Sequence, residues 1–243
     1  MSKKRLRIFA GPNGSGKSSV YEALAQNESF HWGVFVNADE IEKKLREEQY
    51  IDVLSYGVED LDWQKFQIDY QSFVELKGGK CGVENLGYID KKLFVLNPDL
   101  VDSYLACYVA MYIRDGLLLV KKNITFTVET VMSHTSKLDF IRAAKEKGFR
   151  VYLYFVSTSS PEINVGRVHT RVQRGGHDVP EDKIRTRYEK SLANLREAIL
   201  LSDRAYLFDN SAMSYKWIAE YDGATGELRY IAEEIPQWVE NYL

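Results

Sequence analysis

The sequence predicts an α/β fold built on a mostly parallel sheet of about five strands, with helices on both faces. Three observations predict it. Short apolar runs rich in β-branched and aromatic residues alternate with helical patterns along the chain. A glycine-rich turn, Gly11-Pro12-Asn13-Gly14-Ser15-Gly16, follows the first of these runs. The 243 residues, 45% hydrophobic and 28% charged, suffice to bury a core without disulfides or a structural metal.

The elements follow in order. Leu6 to Ala10 reads as a strand, and Lys17 to about Ala25 as the helix after the turn. Val34-Phe35-Val36 reads as a second strand, followed by a charged helix from Asp39 to Glu48. Leu100–Val120 reads as helical. Ile124 to Val128 is a third strand, Ser136 to Lys147 a helix ended by Gly148, and Val151 to Val156 a fourth strand. Pro161 to Arg174 is helical, with Ser159 or Ser160 available as cap and Gly175-Gly176 as stop. A long helix from about Glu181 to Leu201 carries Ile184, Tyr188, Leu192, Leu195 and Ile199 as its core stripe. Ala205 to Phe208 is a fifth strand. Trp217-Ile218-Ala219 and Leu228-Arg229-Tyr230-Ile231 flank Asp222-Gly223-Ala224-Thr225-Gly226, which predicts a C-terminal β-hairpin appendage at 213–243.

One stretch breaks the alternation. Residues 47–99 hold 11 Asp/Glu, 5 Lys and no Arg, a net of −6, with eight aromatics. The aromatics argue against disorder. The stretch reads as an acidic, helical subdomain inserted into a single domain spanning 1–243.

Composition excludes several classes. Thirty-five acids against 32 Lys and Arg give −3, which weighs against a protein that coats nucleic acid. Two cysteines, Cys81 and Cys107, suit a reducing cytosol rather than a secreted disulfide scaffold. The basic start, Met1 to Arg5, is followed by too short an apolar run for a signal peptide and reads as a solvated start to the first strand. No run approaches the ~20 apolar residues of a membrane span. A cytoplasmic chain with no membrane contact is expected.

Gly11 to Ser18 fits G-x-x-x-x-G-K-[ST], the phosphate-binding loop. The pattern arises by chance in roughly 1% of chains of this length at about 7% glycine, and here it stands between a strand and a helix, as its mechanism requires. Glycines let successive N–H groups converge on an anion at a helix N-terminus. Asn13, Gly14, Ser15, Gly16, Lys17, Ser18 and Ser19 would cradle ATP, Lys17 reaching the β- and γ-phosphates and Ser18 holding Mg²⁺. The guanine-reading N-K-x-D, the transporter L-S-G-G-Q and an apolar run ending in Asp-Glu are missing. A small-molecule kinase needs fewer parts: this loop, a base, and arginines that neutralise the moving phosphoryl group.

Ligands of parallel sheets bind beyond the carboxyl ends of the strands, and three acids fall there. Asp39 is a base or orienting carboxylate for an acceptor hydroxyl, or the N-cap of its helix. Glu129 is an acceptor or Mg²⁺-water ligand, or a buried structural acid. Asp209-Asn210 is a turn or a contact on the nucleotide side, Asn210 being the candidate contact. Arg167, Arg171 and Arg174 share a helix face opposite Val165, Val168 and Val172. That face is a solvated one, or a lid whose arginines swing onto phosphates. Arg187, Ser191 and Asn194 form a polar stripe beside a buried face, which predicts a cleft wall and ranks Arg187 above Arg185. His177, in a tight turn, is structural or catalytic.

Together these residues resemble the zeta-toxin family of P-loop kinases, and more closely its bacterial branch of predicted ATPases. The resemblance rests on Gly11 to Ser19, Asn37-Ala38-Asp39-Glu40-Ile41, Glu129-Thr130, Arg174-Gly175-Gly176-His177-Asp178-Val179-Pro180, Arg187-Tyr188 with Ser191 and Asn194-Leu195, and Asp209-Asn210-Ser211. It spans roughly residues 6–46 and 101–212. It implies an adenylate-kinase-like sheet, ATP with Mg²⁺ as phosphoryl donor, and a small-molecule acceptor such as the sugar hydroxyl of a UDP-sugar. It also implies an antitoxin protein as a candidate partner. On the matching positions Asp39 would be the base and Lys17 the phosphate lysine. Glu129 would sit in the substrate cleft, and Arg174 and Arg187 would stabilise the transferred group. The stretch at 47–99 departs from compact members of the family. Two other functions fit the same residues: an ATP-dependent binding or switch module without small-molecule transfer, and a polynucleotide end kinase.

Overall fold

A computed structural model describes residues 4–27, 30–59, 61–176 and 178–243. Its elements run β1 (Arg5–Ala10), α1 (Lys17–Ala25), β2 (Val34–Val36), α2 (Ala38–Glu47), β3 (Tyr50–Asp52), α3 (Trp63–Lys77), β4 (Leu86–Ile89), β5 (Lys92–Val95) and α4 (Ser103–Leu119). They continue with β6 (Thr125–Thr130), α5 (Ser136–Glu146), β7 (Arg150–Ser157), α6 (Pro161–Gln173), α7 (Glu181–Ala193), α8 (Leu195–Leu201), β8 (Arg204–Asp209), β9 (Lys216–Asp222), β10 (Glu227–Tyr230) and α9 (Gln237–Tyr242). The fold is α/β with a mostly parallel central sheet. The chain divides into two units, residues 1–33 with 123–243, and residues 34–122.

In the first unit β6, β1, β7 and β8 lie side by side and parallel. The C-terminal hairpin is not a separate appendage: β9 pairs antiparallel with β8, and β10 with β9, so it extends the sheet. Side chains alternate between the two sheet faces. Phe9, Tyr154, Val156 and Phe208 share one face and pack with Val20 of α1. Phe9 and Tyr154, partners in register, stack at 4.6 Å. Ile8, Leu153, Phe155 and Leu207 take the other face, where Phe155 meets Trp238 of α9. Neighbouring parallel strands carry near-continuous apolar runs because both faces are covered.

The sequence expectation of one helix over 181–201 is corrected. It breaks at Asn194, whose side-chain Nδ2 donates to the Met132 carbonyl at 2.8 Å. The helical backbone bonds continue across the break, from Ala198 N–H to Asn194 O at 3.0 Å, and all five expected stripe residues are buried. The interruption is therefore a one-residue accommodation of a tertiary hydrogen bond.

In the second unit α2 packs on α4, and a three-stranded antiparallel sheet runs in the order β3-β5-β4. The stretch read as a helical insertion thus contains this sheet as well as α3. A two-residue turn, Asp90-Lys91, with φ of 49° and 64°, joins β4 to β5. Such a turn needs left-handed residues and usually takes Asn-Gly, so its sequence signal here is weak. The aromatics make a core: Phe66 and Tyr70 of α3 are fully buried and meet Tyr108 of α4 at 5.1 and 5.0 Å. The Tyr70 hydroxyl donates to the Cys81 carbonyl at 2.7 Å.

Candidate functional site

The loop between β1 and α1 turns through residues that only glycine suits. Gly14 and Gly16 have φ of 76° and 86°. A Cβ on Gly14 would lie 2.5 Å from the Asn164 carbonyl oxygen, and one on Gly16 would lie 2.1 Å from Asn210 Nδ2. The neighbours come this close because they fasten the loop from outside. Asn164 Nδ2 donates to the Asn13 carbonyl at 2.6 Å, and Asn210 Nδ2 to the Ser15 carbonyl at 2.8 Å. In a trans peptide the C=O of one residue and the N–H of the next point oppositely. Holding those two carbonyls outward therefore directs the N–H groups of Gly14 and Gly16 inward. The first-turn N–H groups of α1 have no intrahelical acceptor, and no side chain caps the helix. The result is a ring of donors at a positive helix end, an anion cradle.

Three side chains converge beside it. Glu129, opposite Phe9 in register, lies on the α1 side of the sheet. Its Oε2 accepts from the Ser18 hydroxyl at 3.0 Å, and its Oε1 is 3.7 Å from Lys17 Nζ. Lys17 Nζ also donates to the Pro12 carbonyl at 3.0 Å, and Lys17 is only 7% exposed. The donor set fits ATP with Mg²⁺. A hydroxyl and a carboxylate are hard oxygen ligands, and Mg²⁺ commonly takes one or two such ligands and fills its remaining positions with phosphates and water. Among the described residues no group of three or more His, Cys, Asp and Glu side chains could hold a metal ion.

The arginines separate. Arg187 Nη1 donates to Asn13 Oδ1 at 3.3 Å, placing α7 on the loop tip. Arg185 instead pairs with Glu162 and Glu181 at 2.6 and 2.8 Å on the surface. Arg167, Arg171 and Arg174 line one cavity of about 410 Å³ with Thr170 and Gly176. Arg167 is nearest the loop: its Nη1 lies 3.9 Å from the position a Gly16 Cβ would take, buried and without a hydrogen-bond partner among the described residues. Arg174 is exposed at the C-cap of α6, seven residues and about 10 Å further along the helix axis.

Several expectations are corrected by their hydrogen bonds. Ser191 and Asn194 spend side-chain hydrogen bonds on the protein itself: they donate to the Val131 and Met132 carbonyls at 2.7 and 2.8 Å and pin the segment after β6. Asp39 is not the cap of α2: Asn37 is, its Oδ1 accepting from Asp39 N at 2.8 Å and Glu40 N at 3.4 Å. Ser160 holds the cap position of α6 but its side chain makes no cap bond. For Asp209 the turn reading fits: it accepts from Ser211 N at 3.0 Å and also from Trp238 Nε1 at 2.8 Å. His177 lies outside the described residues. Sequence reasoning missed Asn164, a fully buried polar residue on α6 that clamps Asn13 and bonds Thr158. Its only signal was a polar side chain one position before Val165 on an otherwise apolar edge.

No family model matches the chain. A Haemophilus influenzae protein described as uncharacterized is 38% identical over 69 residues, 28% of this chain and 49% of that protein. The chain thus spans about half the length of the curated relative it matches. A crystal structure of the AvrRxo1-ORF1:AvrRxo1-ORF2 complex with sulphate ions aligns with 99% of this chain and 63% of its own, at a TM-score of 0.60 and 16% identity. The same complex with ATP aligns over the same shares at 0.59 and 16%. At this identity the likeness is one of fold, and the chain shares its fold with these AvrRxo1-ORF1:AvrRxo1-ORF2 structures. In this fold the cradle sits where the first parallel strand hands over to its helix. A looser likeness is to the PezAT chromosomal toxin–antitoxin system of Streptococcus pneumoniae, at a TM-score of 0.48 and 14% identity over 88% of this chain and 72% of that one. Among the described residues no helix is long and apolar enough to cross a membrane.

Proposed function

We propose that the chain transfers the terminal phosphoryl group of ATP, with Mg²⁺, to a hydroxyl of a small metabolite, a UDP-sugar being the first candidate. The observation that carries the reading is the convergence of Lys17, Ser18 and Glu129 at the mouth of the glycine cradle. The AvrRxo1 complex solved with ATP supports the donor. Bound Mg-ATP would supply the labile phosphoryl group. The chain's own residues do the rest. The loop N–H groups hold phosphate oxygens, and Lys17, leaving Pro12, neutralises their charge. Ser18 and Glu129 hold the metal side. Arg187 and Arg174 stabilise negative charge on the moving group, which is where arginine forks contribute most. Asp39 takes the acceptor proton; its carboxylate is not used as the helix cap, because Asn37 serves there.

The test is to incubate the protein with Mg-ATP and a metabolite extract and to identify phosphorylated products by mass spectrometry. Lys17→Ala should abolish both ATP binding and product. Asp39→Asn should retain ATP binding and lose product by about 10²–10⁴-fold, the usual worth of a general base. ATP binding without any phosphorylated metabolite would instead favour an ATP-dependent binding module. That second reading draws on the exposed Ile68, Leu76, Ile89 and Leu96 of the 34–122 unit. It fits a protein partner, as in the two-protein AvrRxo1 complex.

A further inference from the structure

A second cavity lies at the opposite end of the first unit's parallel strands. It has a volume of about 330 Å³ and is walled by Arg5 and Arg7 of β1, Tyr152 and Tyr154 of β7, and Tyr206 of β8, with Phe30 and His31 at its edge. Strand register brings them together, since Arg7 is partnered with Tyr152, and Tyr154 with Tyr206. Arg5 begins the strand whose far end feeds the phosphate loop at Gly11. Six residues at about 3.3 Å each set the two places about 20 Å apart.

Arg7 is the unusual residue. It is 6% exposed on a central strand, a position that ordinarily takes an apolar side chain. Its guanidinium lies over the rings of Trp32 at 4.9 Å, Tyr152 at 5.0 Å and Phe30 at 5.9 Å. Nη1 donates to the Tyr154 hydroxyl at 2.7 Å and Nε to the His31 carbonyl at 3.3 Å. Among the described residues neither Arg7 nor Arg5 is paired with a carboxylate. Beside Arg7, the Trp32 indole N–H is buried and has no acceptor among the described residues. Buried charge is normally paired. Here the aromatic faces and two neutral acceptors hold the guanidinium in place, and among the described residues no carboxylate offsets its charge beside a cavity walled by aromatic side chains, of which Tyr152 and Tyr206 are half-buried and Tyr154 is sandwiched between Phe9 and Tyr206.

We infer that this cavity binds a small planar aromatic anion, its ring against the half-buried Tyr152 and Tyr206 and its carboxylate or phosphate on Arg7 and Arg5. The two features answer two halves of one ligand: aromatic side chains offer stacking faces, and arginine forks take planar or tetrahedral oxyanions by paired hydrogen bonds. The site stands apart from the phosphate loop, so it does not depend on the kinase reading.

The test is calorimetric titration of the full chain with two probes, 1-naphthoate for the carboxylate and adenosine 5′-monophosphate for the phosphate. Each is run beside its neutral counterpart, 1-naphthalenemethanol or adenosine. At least one anion should bind saturably at one site and about tenfold or more tighter than its counterpart. Whichever probe binds identifies the head group. Arg5→Ala and Arg7→Lys should each weaken binding by about 10–100-fold, the worth of a charged hydrogen bond. Lys17→Ala should leave it unchanged. Arg5, half-buried at the strand's start, provides the informative variant if Arg7→Lys fails to fold. Absence of saturable binding to the folded wild-type chain by either probe at millimolar concentration would overturn the inference. So would equal binding by Arg5→Ala, or loss of binding in Lys17→Ala.

Discussion

Replacing Gly16 by alanine tests the loop geometry at a position where the cost can be worked out. Gly16 sits at φ 86°, and its new Cβ would lie 2.1 Å from Asn210 Nδ2. The left-handed backbone costs an L-residue about 1–2 kcal/mol. Asn210 is a side-chain tip and can swing away, but it then releases the Ser15 carbonyl, which it holds at 2.8 Å. A hydrogen bond of that kind is worth about 1 kcal/mol. Gly16→Ala should therefore cost about 2–3 kcal/mol, and Asn210→Ala about 1 kcal/mol. In the Asn210→Ala background the clash and the lost bond no longer count, so Gly16→Ala should cost only the strain of about 1–2 kcal/mol. The double-mutant cycle should show a coupling of about 1 kcal/mol. Urea unfolding of the four proteins, followed by circular dichroism, measures it. Strict additivity would show that Asn210 does not clamp the loop at Ser15 and would refute the argument.

Three further outcomes are expected. Trp238→Phe removes the indole N–H that Asp209 accepts at 2.8 Å while the carboxylate stays only 8% exposed; a charged hydrogen bond of this kind is worth about 1.5–3 kcal/mol, and an unchanged unfolding midpoint would contradict the buried pairing. Stability should fall as pH rises from about 10 to about 12. Burial, against a smaller opposing pull from Arg7, pushes the Tyr154 phenol up to about 12, so the unfolded chain, near 10, loses its proton first and gains the advantage. The stabilisation is complete below pH 10, and about 2–3 kcal/mol goes across the window at about 1.4 kcal/mol per unit. A free energy of unfolding that holds or rises between pH 9.5 and 12 would run against the sign. Ellman's reagent should label one thiol quickly, because Cys107 is exposed while Cys81 is fully buried and its thiol is pushed up to about 11 by burial; Cys107→Ser should remove the fast phase, and a fast phase surviving that substitution would place Cys81 at the surface.

The parallel strands and the cradle could be read from local pattern because their causes are local. Alternating β-strand and helix signals need only neighbours in sequence, and glycines at left-handed positions announce a turn wherever the rest of the chain goes. The same holds for the buried stripe of α7 and α8. The site was harder. Lys17, Ser18 and Glu129 were named from motif and strand end, yet their meeting depends on β6 lying beside β1 with Glu129 in register with Phe9. Ser191 and Asn194 read as part of a cleft wall because a polar side chain beside an apolar stripe has the same sequence signature whether it meets a ligand or a carbonyl.

What the amino-acid order alone determined was most of the backbone conformation outside residues 47–99: which stretches run as strand, which coil into helix, and where a glycine must bend the chain around an anion. Only the tertiary structure decided which polar groups spend their hydrogen bonds on the protein itself. Asn164 and Asn210 fasten the loop, Asp209 takes Trp238, and Arg7 is enclosed by aromatic rings. Each of these choices joins residues far apart in the chain. Secondary structure is written in short-range sterics and periodicity, whereas the partner of a buried donor is set by what packing brings within about 3 Å of it.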